Sequence, residues 1–185
     1  MKITKEKPEI VRIIYRQEKG DPDYGSCLWA IFDFDAGRGL LNIQSDCGDY
    51  AYRWPERGNN FLRLFRTMDE GYLLGKLCGE PGRFDKEGTI GRITEWLDEM
   101  EISDAEKESA IRDLQSCLEK CSDGCEPELA MTVVDEWNDD EDLGIDCAWE
   151  LVRKRYTAHQ IRIVKVFREY IIPEIRKELE ERENE

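Results

Sequence analysis

The feature that most constrains the fold is the stretch of residues 40–54 and the change of hydrophobic period that follows it. β-Forming residues alternate with polar residues on both sides of residues 46–49, where Gly48 can take the positive φ that a tight turn needs. From Phe61 to Met68 the apolar residues instead recur at helical spacing. The sequence therefore predicts a β-hairpin that runs into an amphipathic helix.

Two further strand-like segments precede this hairpin. Residues 9–16 are rich in β-branched side chains, and residues 26–35 alternate around an apolar face. The members of that face are Leu28, Ala30, Phe32 and Phe34. The opposite set in the second segment is also largely apolar, so we expect a central strand covered on both faces. Together the segments predict an antiparallel meander of about four strands.

Helical patterns occupy most of the chain after residue 60. They cover approximately residues 61–68, 72–77, 86–100, 103–121, 129–137, 146–155 and 157–182. Ser103 and Glu106 predict a capping box at the start of the fourth helix, and Pro173 is expected to kink or split the last one. Residues 138–142 have no apolar member and predict a solvated loop. The fold class is α+β, with the antiparallel meander at the N-terminus followed by a helical C-terminal part.

The acidity of the chain is concentrated in its middle. The net charge is −15, but residues 67–152 carry −18, whereas the segments before and after them carry +1 and +2. We divide the chain into residues 1–78, the sheet with the first helices, and residues 79–185, an acidic helical part packed with the sheet as one unit. An acidic surface repels nucleic acid and attracts basic partners, because long-range steering follows the summed field. Direct nucleic-acid binding is therefore not expected.

The composition also bears on the compartment. No apolar run approaches the length of a membrane span, and no charged start followed by a hydrophobic core indicates a secretory signal. Seven cysteines, an odd number without framework-like spacing, favour a reducing cytosol. We expect a cytoplasmic protein with no membrane association, and the sequence leaves its oligomeric state open.

Cysteine and histidine can bind metals or take part in catalysis, but in this sequence they lack the further residues that such sites need. Cys117, Cys121 and Cys125 are four residues apart, but a structural zinc site needs four ligands and the only histidine, His159, is far along the chain. His159 has no serine or cysteine nucleophile near it in a known motif. We therefore predict no metal site, no cofactor and no catalytic residue, and hence no enzyme.

The acidic run at residues 139–142, followed by Asp146, has two interpretations beside a calcium loop. It lacks the alternating ligands, central glycine and terminal glutamate that a calcium loop requires. A solvated acidic loop is the favoured interpretation. The other stays open: the carboxylates imitate a row of phosphates and occupy a groove built for nucleic acid.

The last predicted strand has two different faces. By alternation Tyr50, Tyr52 and Trp54 share one face, whereas Ala51 and Arg53 lie on the other. Three adjacent rings would form a large exposed patch, so the aromatic face is expected to be buried. Arg53 would then point outward, where arginine is a common interface anchor.

The stretch SDCGDYAYRW, followed by NNFLRLFRTMDEGYLLGKL, resembles a pattern of small bacteriophage and prophage proteins. In that pattern a hairpin ending in a Tyr-x-Tyr-x-Trp strand precedes a helix and a YLLGKL-like segment, and here it covers residues 40–78. Some compact acidic phage proteins are anti-CRISPR inhibitors of the type II RNA-guided nuclease, to which this chain is similar in size and charge. The resemblance implies action by binding, without catalytic residues.

The sequence thus predicts a phage or mobile-element inhibitor in the host cytosol that uses an acidic surface. Its partner would be a basic nucleic-acid-binding protein that processes nucleic acid, with the type II CRISPR nuclease as the leading candidate. The alternative is a general protein–protein interaction accessory protein whose acidity only serves solubility. The predicted partner-binding residues are Asp135, Glu136, Asp139, Asp140, Glu141, Asp142, Asp146 and Arg53.

Overall fold

A computed structural model describes residues 3–5 and 8–184, and the chain groups into two compact units. The first, here the sheet unit, comprises Met1–Glu80 and Ala158–Glu185, and the second, here the helical unit, comprises Pro81–Thr157. The sequence-based division assigns everything after residue 78 to one part. In the structure the chain instead leaves the sheet unit and returns to it with its last helices.

The sheet unit is built on four antiparallel strands in the order β1-β2-β3-β4. Their bounds are Ile10–Arg16 for β1, Trp29–Asp35 for β2, Leu40–Ser45 for β3 and Gly48–Arg53 for β4. Gly48 has a φ of 114° at the tight β3–β4 turn, a value that a side chain would strain. The predicted α+β class and the antiparallel meander are confirmed.

One face of this sheet forms the core of the unit. In β2 the side chains of Ala30, Phe32 and Phe34 are fully buried, whereas Trp29 is exposed. On the outer face Asp33 receives two hydrogen bonds from the Arg12 guanidinium of β1, at 2.6 and 2.8 Å. The expectation that β2 is covered on both faces is therefore wrong, because its second face carries an ion pair and half-exposed apolar residues.

Leu28, the first member of the predicted apolar face, lies outside β2. Its side chain is 42% exposed. The Asp46 carboxylate accepts the Leu28 backbone N–H at 2.7 Å, which anchors the chain just before the strand begins. The rest of the predicted apolar face is buried as expected.

Alternation along β4 gives the expected separation of faces. Tyr50 and Tyr52 are half-buried, Trp54 just beyond the strand is buried, and Arg53 is exposed. The ring of Trp54 lies 4.6 Å from that of Tyr52 and 5.3 Å from that of Phe65. The prediction of a buried aromatic face with Arg53 pointing outward is confirmed.

Four helices of the sheet unit come from distant parts of the chain. They are α1 (Asn59–Leu64), α2 (Glu70–Cys78), α6 (Ala158–Val166) and α7 (Ile172–Asn184). The ring of Phe34 in β2 lies 5.4 Å from Phe65, after α1, and 6.2 Å from Phe167, after α6. Phe65 and Phe167 are themselves 5.4 Å apart. These three rings join the sheet to both pairs of helices.

A five-residue π-helical segment, Phe167–Ile171, connects α6 to α7. The backbone N–H of Ile172 donates to the carbonyl of Phe167, five residues back. Pro173 follows immediately and has no N–H to donate, and its ring would clash with the carbonyl four residues before it. The widened turn relieves that conflict, and so the predicted disturbance at Pro173 takes the form of a π-helical segment.

The helical unit consists of three helices and a short sheet. The helices are α3 (Lys86–Asp98), α4 (Asp104–Cys117) and α5 (Pro127–Asp140), and the sheet pairs β5 (Arg83–Phe84) with β6 (Lys154–Arg155) in antiparallel fashion. Trp137 is buried at the centre, where its indole N–H donates to the Ala110 carbonyl at 3.1 Å. The other large buried core residues are Phe84, Ile93, Leu97, Leu114, Leu118 and Val134.

The predicted capping box of α4 is confirmed. The Ser103 hydroxyl accepts the Glu106 backbone N–H at 3.3 Å, and the Glu106 carboxylate accepts the Ser103 backbone N–H at 2.8 Å. The helix predicted over residues 146–155 is wrong. That segment holds a 3₁₀ turn, Ala148–Leu151, preceded by Cys147 at a φ of 54°. It continues into β6, where pairing with β5 replaces the helical hydrogen bonds.

In the described ranges of the chain, no helix combines the length and the apolar character that crossing a membrane requires.

Replacing Phe34 with alanine is expected to lower the free energy of unfolding by about 3–5 kcal/mol, because it removes a fully buried ring and leaves a cavity. Urea denaturation followed by tryptophan fluorescence measures the change. Ile14 on the outer face of the sheet is 55% exposed and provides the control. Ile14→Ala should change the free energy by no more than about 0.5 kcal/mol, and equal effects would contradict the one-sided core.

Replacing Ser103 with alanine is expected to raise the pKa of Glu106 toward its ordinary value. Hydrogen bonds from the Ser103 side chain, and then from its backbone, lower the pKa of Glu106. A lowered pKa contributes stability above the unfolded value, and this is lost as pH falls through the folded value. The stability difference between parent and variant should therefore shrink on acidification. NMR titration of the Glu106 carboxyl tests this, and an unchanged pKa would refute the capping contribution.

Candidate functional site

The charge asymmetry of the chain follows the division into units. The helical unit contains 22 acidic and nine basic side chains, for a net charge of −13. The remainder of the chain contains 20 acidic and 18 basic side chains, for a net charge of −2. The acidity therefore belongs to one compact body of 77 residues and not to an extended segment.

The second half of α5 and the turn after it carry most of the predicted partner-binding residues. Asp135, Glu136, Asp139 and Asp140 lie on the helix itself, and Glu141 follows as its C-cap. Asp142 and Asp146 lie in the next loop. The prediction of a solvated loop over residues 138–142 is wrong in its first part, because Asn138, Asp139 and Asp140 form the last turn of α5.

Asn138 explains why the helix extends so far. Its side chain is buried and makes two hydrogen bonds to the backbone of Ile145: the amide N–H₂ donates to the carbonyl at 3.2 Å, and the amide oxygen accepts the N–H at 3.0 Å. Asp142 and Gly144 have φ values of 50° and 64°, which turn the chain back toward the helix. The acidic end of α5 is thus held against its own loop.

Asp135 has a structural role. Its carboxylate is half-buried and accepts the backbone N–H of Trp149 at 2.9 Å, at the start of the 3₁₀ turn. Glu136, its neighbour, is exposed. Of the predicted site residues on α5, Asp135 therefore positions the following segment, whereas Glu136 faces solvent.

The carboxylates at this helix end are placed where they weaken the fold. The C-terminus of a helix carries partial negative charge and favours cations, yet the last turn of α5 contains no basic residue. Among the residues that the structure describes, none of the five carboxylates forms an ion pair. They are Asp139, Asp140, Glu141, Asp142 and Asp146. Elsewhere in the same unit Asp123 pairs with Arg155 and Glu126 with Arg83. We call these five residues the acidic cap.

Arg53 is the one predicted site residue outside the helical unit. It is exposed at the end of β4, and its Nε donates to the Arg38 carbonyl at 3.2 Å. Its side chain therefore lies along the β2–β3 turn. The structure assigns it to the surface of the sheet unit and does not group it with the acidic cap.

A family model described as a phage family, Phage_phiTE_072, matches residues 1–181. The chain belongs to this phage family. No curated protein and no solved structure matches the chain. The prediction of a phage protein is confirmed at the level of the family, and the family match covers almost the whole chain.

The phage-family protein also has a cluster of potential metal ligands that the sequence analysis missed. The ligand atoms of Cys27, Asp46 and Cys47 lie within 4.8 Å of one another. Burial raises the pKa of both thiols, which opposes the thiolate form that metals bind. The carboxylate already accepts a backbone N–H, and the Cys47 thiol donates to the Ser26 carbonyl at 3.3 Å. These hydrogen bonds join the segment before β2 to the β3–β4 turn, and the separation of about 20 residues between them explains why no sign of the cluster was visible in the sequence.

Cys117, Cys121 and Cys125, which are four residues apart in the sequence, do not lie on one continuous helix in the phage-family protein. α4 ends at Cys117, and the chain tightens into a 3₁₀ turn before Cys121. Cys121 is buried, which raises the pKa of its thiol, whereas Cys125 is half-buried. The arrangement is that of packing residues in a small core.

Neutralising the end of α5 in the phage-family protein should increase its stability. Asp139→Asn with Asp140→Asn is expected to raise the free energy of unfolding by about 0.5–1.5 kcal/mol at low salt, because two unpaired negative charges leave the helix C-terminus. Glu128 in the first turn of α5 provides the control, since a carboxylate there is favourable. Glu128→Gln should lower the stability. Urea denaturation measures both, and changes of the same sign would refute the account.

Proposed function

We propose that this phage-family protein is a non-enzymatic inhibitor that acts in the host cytosol by binding a nucleic-acid-processing effector. The effector is a basic protein, and we take the type II CRISPR nuclease as its identity. The acidic cap, with Glu136 beside it, would occupy a positively charged channel in which the effector normally holds a nucleic-acid backbone. Membership in a phage family supports this proposal, because a phage protein would meet such an effector inside the host cell.

The observation that carries this proposal is the acidic cap itself. Asp139, Asp140 and Glu141 lie at a helix end whose dipole disfavours them, and Asp142 and Asp146 follow in the adjoining loop. Among the described residues, none of the five carboxylates forms an ion pair. Such an arrangement costs stability in the free protein. That cost is recovered when a cationic surface approaches, because the same charges then gain partners. A surface selected only for stability would place lysine or arginine there instead.

The acidic cap is also held in a defined shape before binding. Asn138 fixes Ile145, and Asp135 fixes Trp149, so the loop between them is attached to the helix at both ends. The opposite face of the helix is buried through Val134 and Trp137. Preorganisation of this kind lowers the conformational entropy that a complex must lose. An imitation of a phosphate backbone benefits from such a fixed loop, because the positions of its charges are then set before binding.

A binding mechanism is consistent with the chemistry of these groups. Four of the five carboxylates are exposed and Glu141 is half-buried, so none has the fully buried setting in which catalytic acids and bases are usually found. Inhibition would come from steric and electrostatic competition with nucleic acid. On this proposal the protein needs no cofactor and no metal.

The test is inhibition of a purified type II CRISPR nuclease by the intact protein and by a charge variant. Asp139→Asn, Asp140→Asn, Glu141→Gln and Asp142→Asn, combined, are expected to weaken binding at least tenfold while leaving the protein folded. Complex formation, measured by biolayer interferometry, should also weaken as salt rises, because exposed charge pairs are screened. The variant should show a shallower salt dependence.

A matched control removes the same number of charges elsewhere in the helical unit. Glu99, Glu101, Glu108 and Glu119 are all exposed, and their combined replacement by glutamine gives the control variant. It should retain most of the affinity. Equal loss in both variants would indicate that net charge alone matters, and absence of a complex at low salt would exclude the nuclease as the partner.

A second candidate function is an accessory protein that binds another protein through the open face of the sheet. Ile14, Tyr24, Leu28 and Trp29 are each more than 40% exposed and line one groove of about 520 Å³. Exposed aromatic and aliphatic side chains in one patch are typical of protein interaction surfaces. If Trp29→Ala abolishes nuclease binding while the neutralised acidic cap does not, this second function replaces the first.

A further inference from the structure

The sheet unit has a groove whose charge is opposite to that of the chain. It lies against the α6–α7 region and has a volume of about 380 Å³. Four cationic side chains and two carboxylates line it, with Met68 and Ile172 as apolar members. The charged residues are Arg66, Lys165, Arg168, Arg176, Glu70 and Glu169. The groove therefore carries a local charge of +2 in a protein of net charge −15.

Two of the four cations have a carboxylate partner and two do not. Arg168 pairs with Glu70 at 2.9 Å, and Lys165 lies 3.7 Å from Asp23. Within the described part of the chain, Arg66 and Arg176 form no ion pair. Both are exposed. Arg66 and Arg176 lack a carboxylate partner even though the protein has 42 acidic side chains and Glu169 lines the same groove, so both arginines are available to an external anion.

The cations on the helical side form a row. Lys165, Arg168 and Arg176, with Ile172 between the last two, all line the groove from the α6–α7 segment. From Lys165 to Arg176 the segment extends at most about 16 Å at the α-helical rise of 1.5 Å per residue, because the wider π-helical turn rises less. That length exceeds a single phosphate group. A segment of this length can contact successive phosphates of a nucleic-acid strand. The arginine guanidinium can also donate two parallel hydrogen bonds to one phosphate group.

The π-helical segment lies within this row. Phe167–Ile171 supplies Arg168 and Glu169 to the groove. π-Helical turns are rare and occur frequently at functional sites. Here the widened turn sets the position of Arg168 relative to Arg176 on the far side of Pro173.

We propose that this groove binds the phosphate groups of a single nucleic-acid strand, with Arg66 and Arg176 as the principal contacts. Exposed charges farther apart than about 8 Å are largely screened at physiological salt, so the local charge of +2 governs the contact between the groove and a strand. This proposal differs from the sequence-based expectation of no direct nucleic-acid binding, and the experiment below decides between them. The proposal stands independently of the acidic cap and of the nuclease.

The experiment measures anisotropy of fluorescein-labelled single-stranded 12-mers of DNA and RNA with the intact protein across a salt series. The logarithm of affinity should fall with the logarithm of salt with a slope of about −2 to −3, since each phosphate contact on a single strand contributes about 0.7. Arg66→Gln with Arg176→Gln should reduce that slope by about 1.4 and weaken binding at 50 mM salt at least tenfold.

Arg63 and Lys177 provide a control with the same loss of charge. Both are exposed cations of the sheet unit that already pair with carboxylates, Glu183 and Glu174 respectively. Arg63→Gln with Lys177→Gln should keep the slope and lose less than threefold in affinity. Thermal unfolding should confirm that both variants are folded.

Three outcomes overturn the proposal: no binding at 50 mM salt, equal loss in both double variants, or displacement of the strand by polyglutamate at the same charge concentration. Displacement by millimolar inorganic phosphate or ATP would also overturn it, since the groove would then hold a single phosphate group and not a strand. Failure here leaves nuclease binding by the acidic cap unaffected, because the two tests use different residues and different probes.

Discussion

The contact among Phe34, Phe65 and Phe167 is the constraint on which the sheet unit depends. The three rings come from a central strand, from the turn after α1 and from the segment after α6, and each is fully buried. Burial of large rings is the main favourable term available to a unit of this size. Because the third ring is more than 100 residues from the second, the sheet cannot complete its core until the end of the chain has been incorporated. The order of packing therefore differs from the order of synthesis.

Local sequence patterns predicted the individual strands and helices better than they predicted which of these elements pack together. The meander, the capping box of α4 and the burial of Trp54 all follow from alternation, caps and turn glycines, which act over a few residues. The return of α6 and α7 to the sheet could not be predicted in this way, because it depends on a ring contact over a long separation. The end of α5 was missed for a related reason. Asn138 is polar in sequence but becomes buried through hydrogen bonds to Ile145, which no periodicity indicates.

The acidic cap was predicted from charge density, and only the structure explains why its residues differ from other carboxylates. Most ion pairs of the chain are exposed and contribute little to stability, but they do neutralise charge locally. At the end of α5 this neutralisation is missing. Sequence alone cannot separate paired from unpaired acids, since the partner of Asp123 is Arg155, 32 residues away. Asp135 illustrates the converse, because a residue counted as a binding group from its charge serves to hold Trp149.

The pairing of β5 with β6 has a consequence for how this protein is assembled from parts. Arg83 and Arg155 are opposite one another in that short ladder, although they stand near the two ends of the helical unit. The points of entry and exit of a 77-residue body are thus neighbours, at about the 5 Å spacing of paired strands. The chain therefore enters and leaves the helical unit through two paired strands. If the helical unit were removed or exchanged as a whole, the surrounding chain would have to bridge only about one strand spacing.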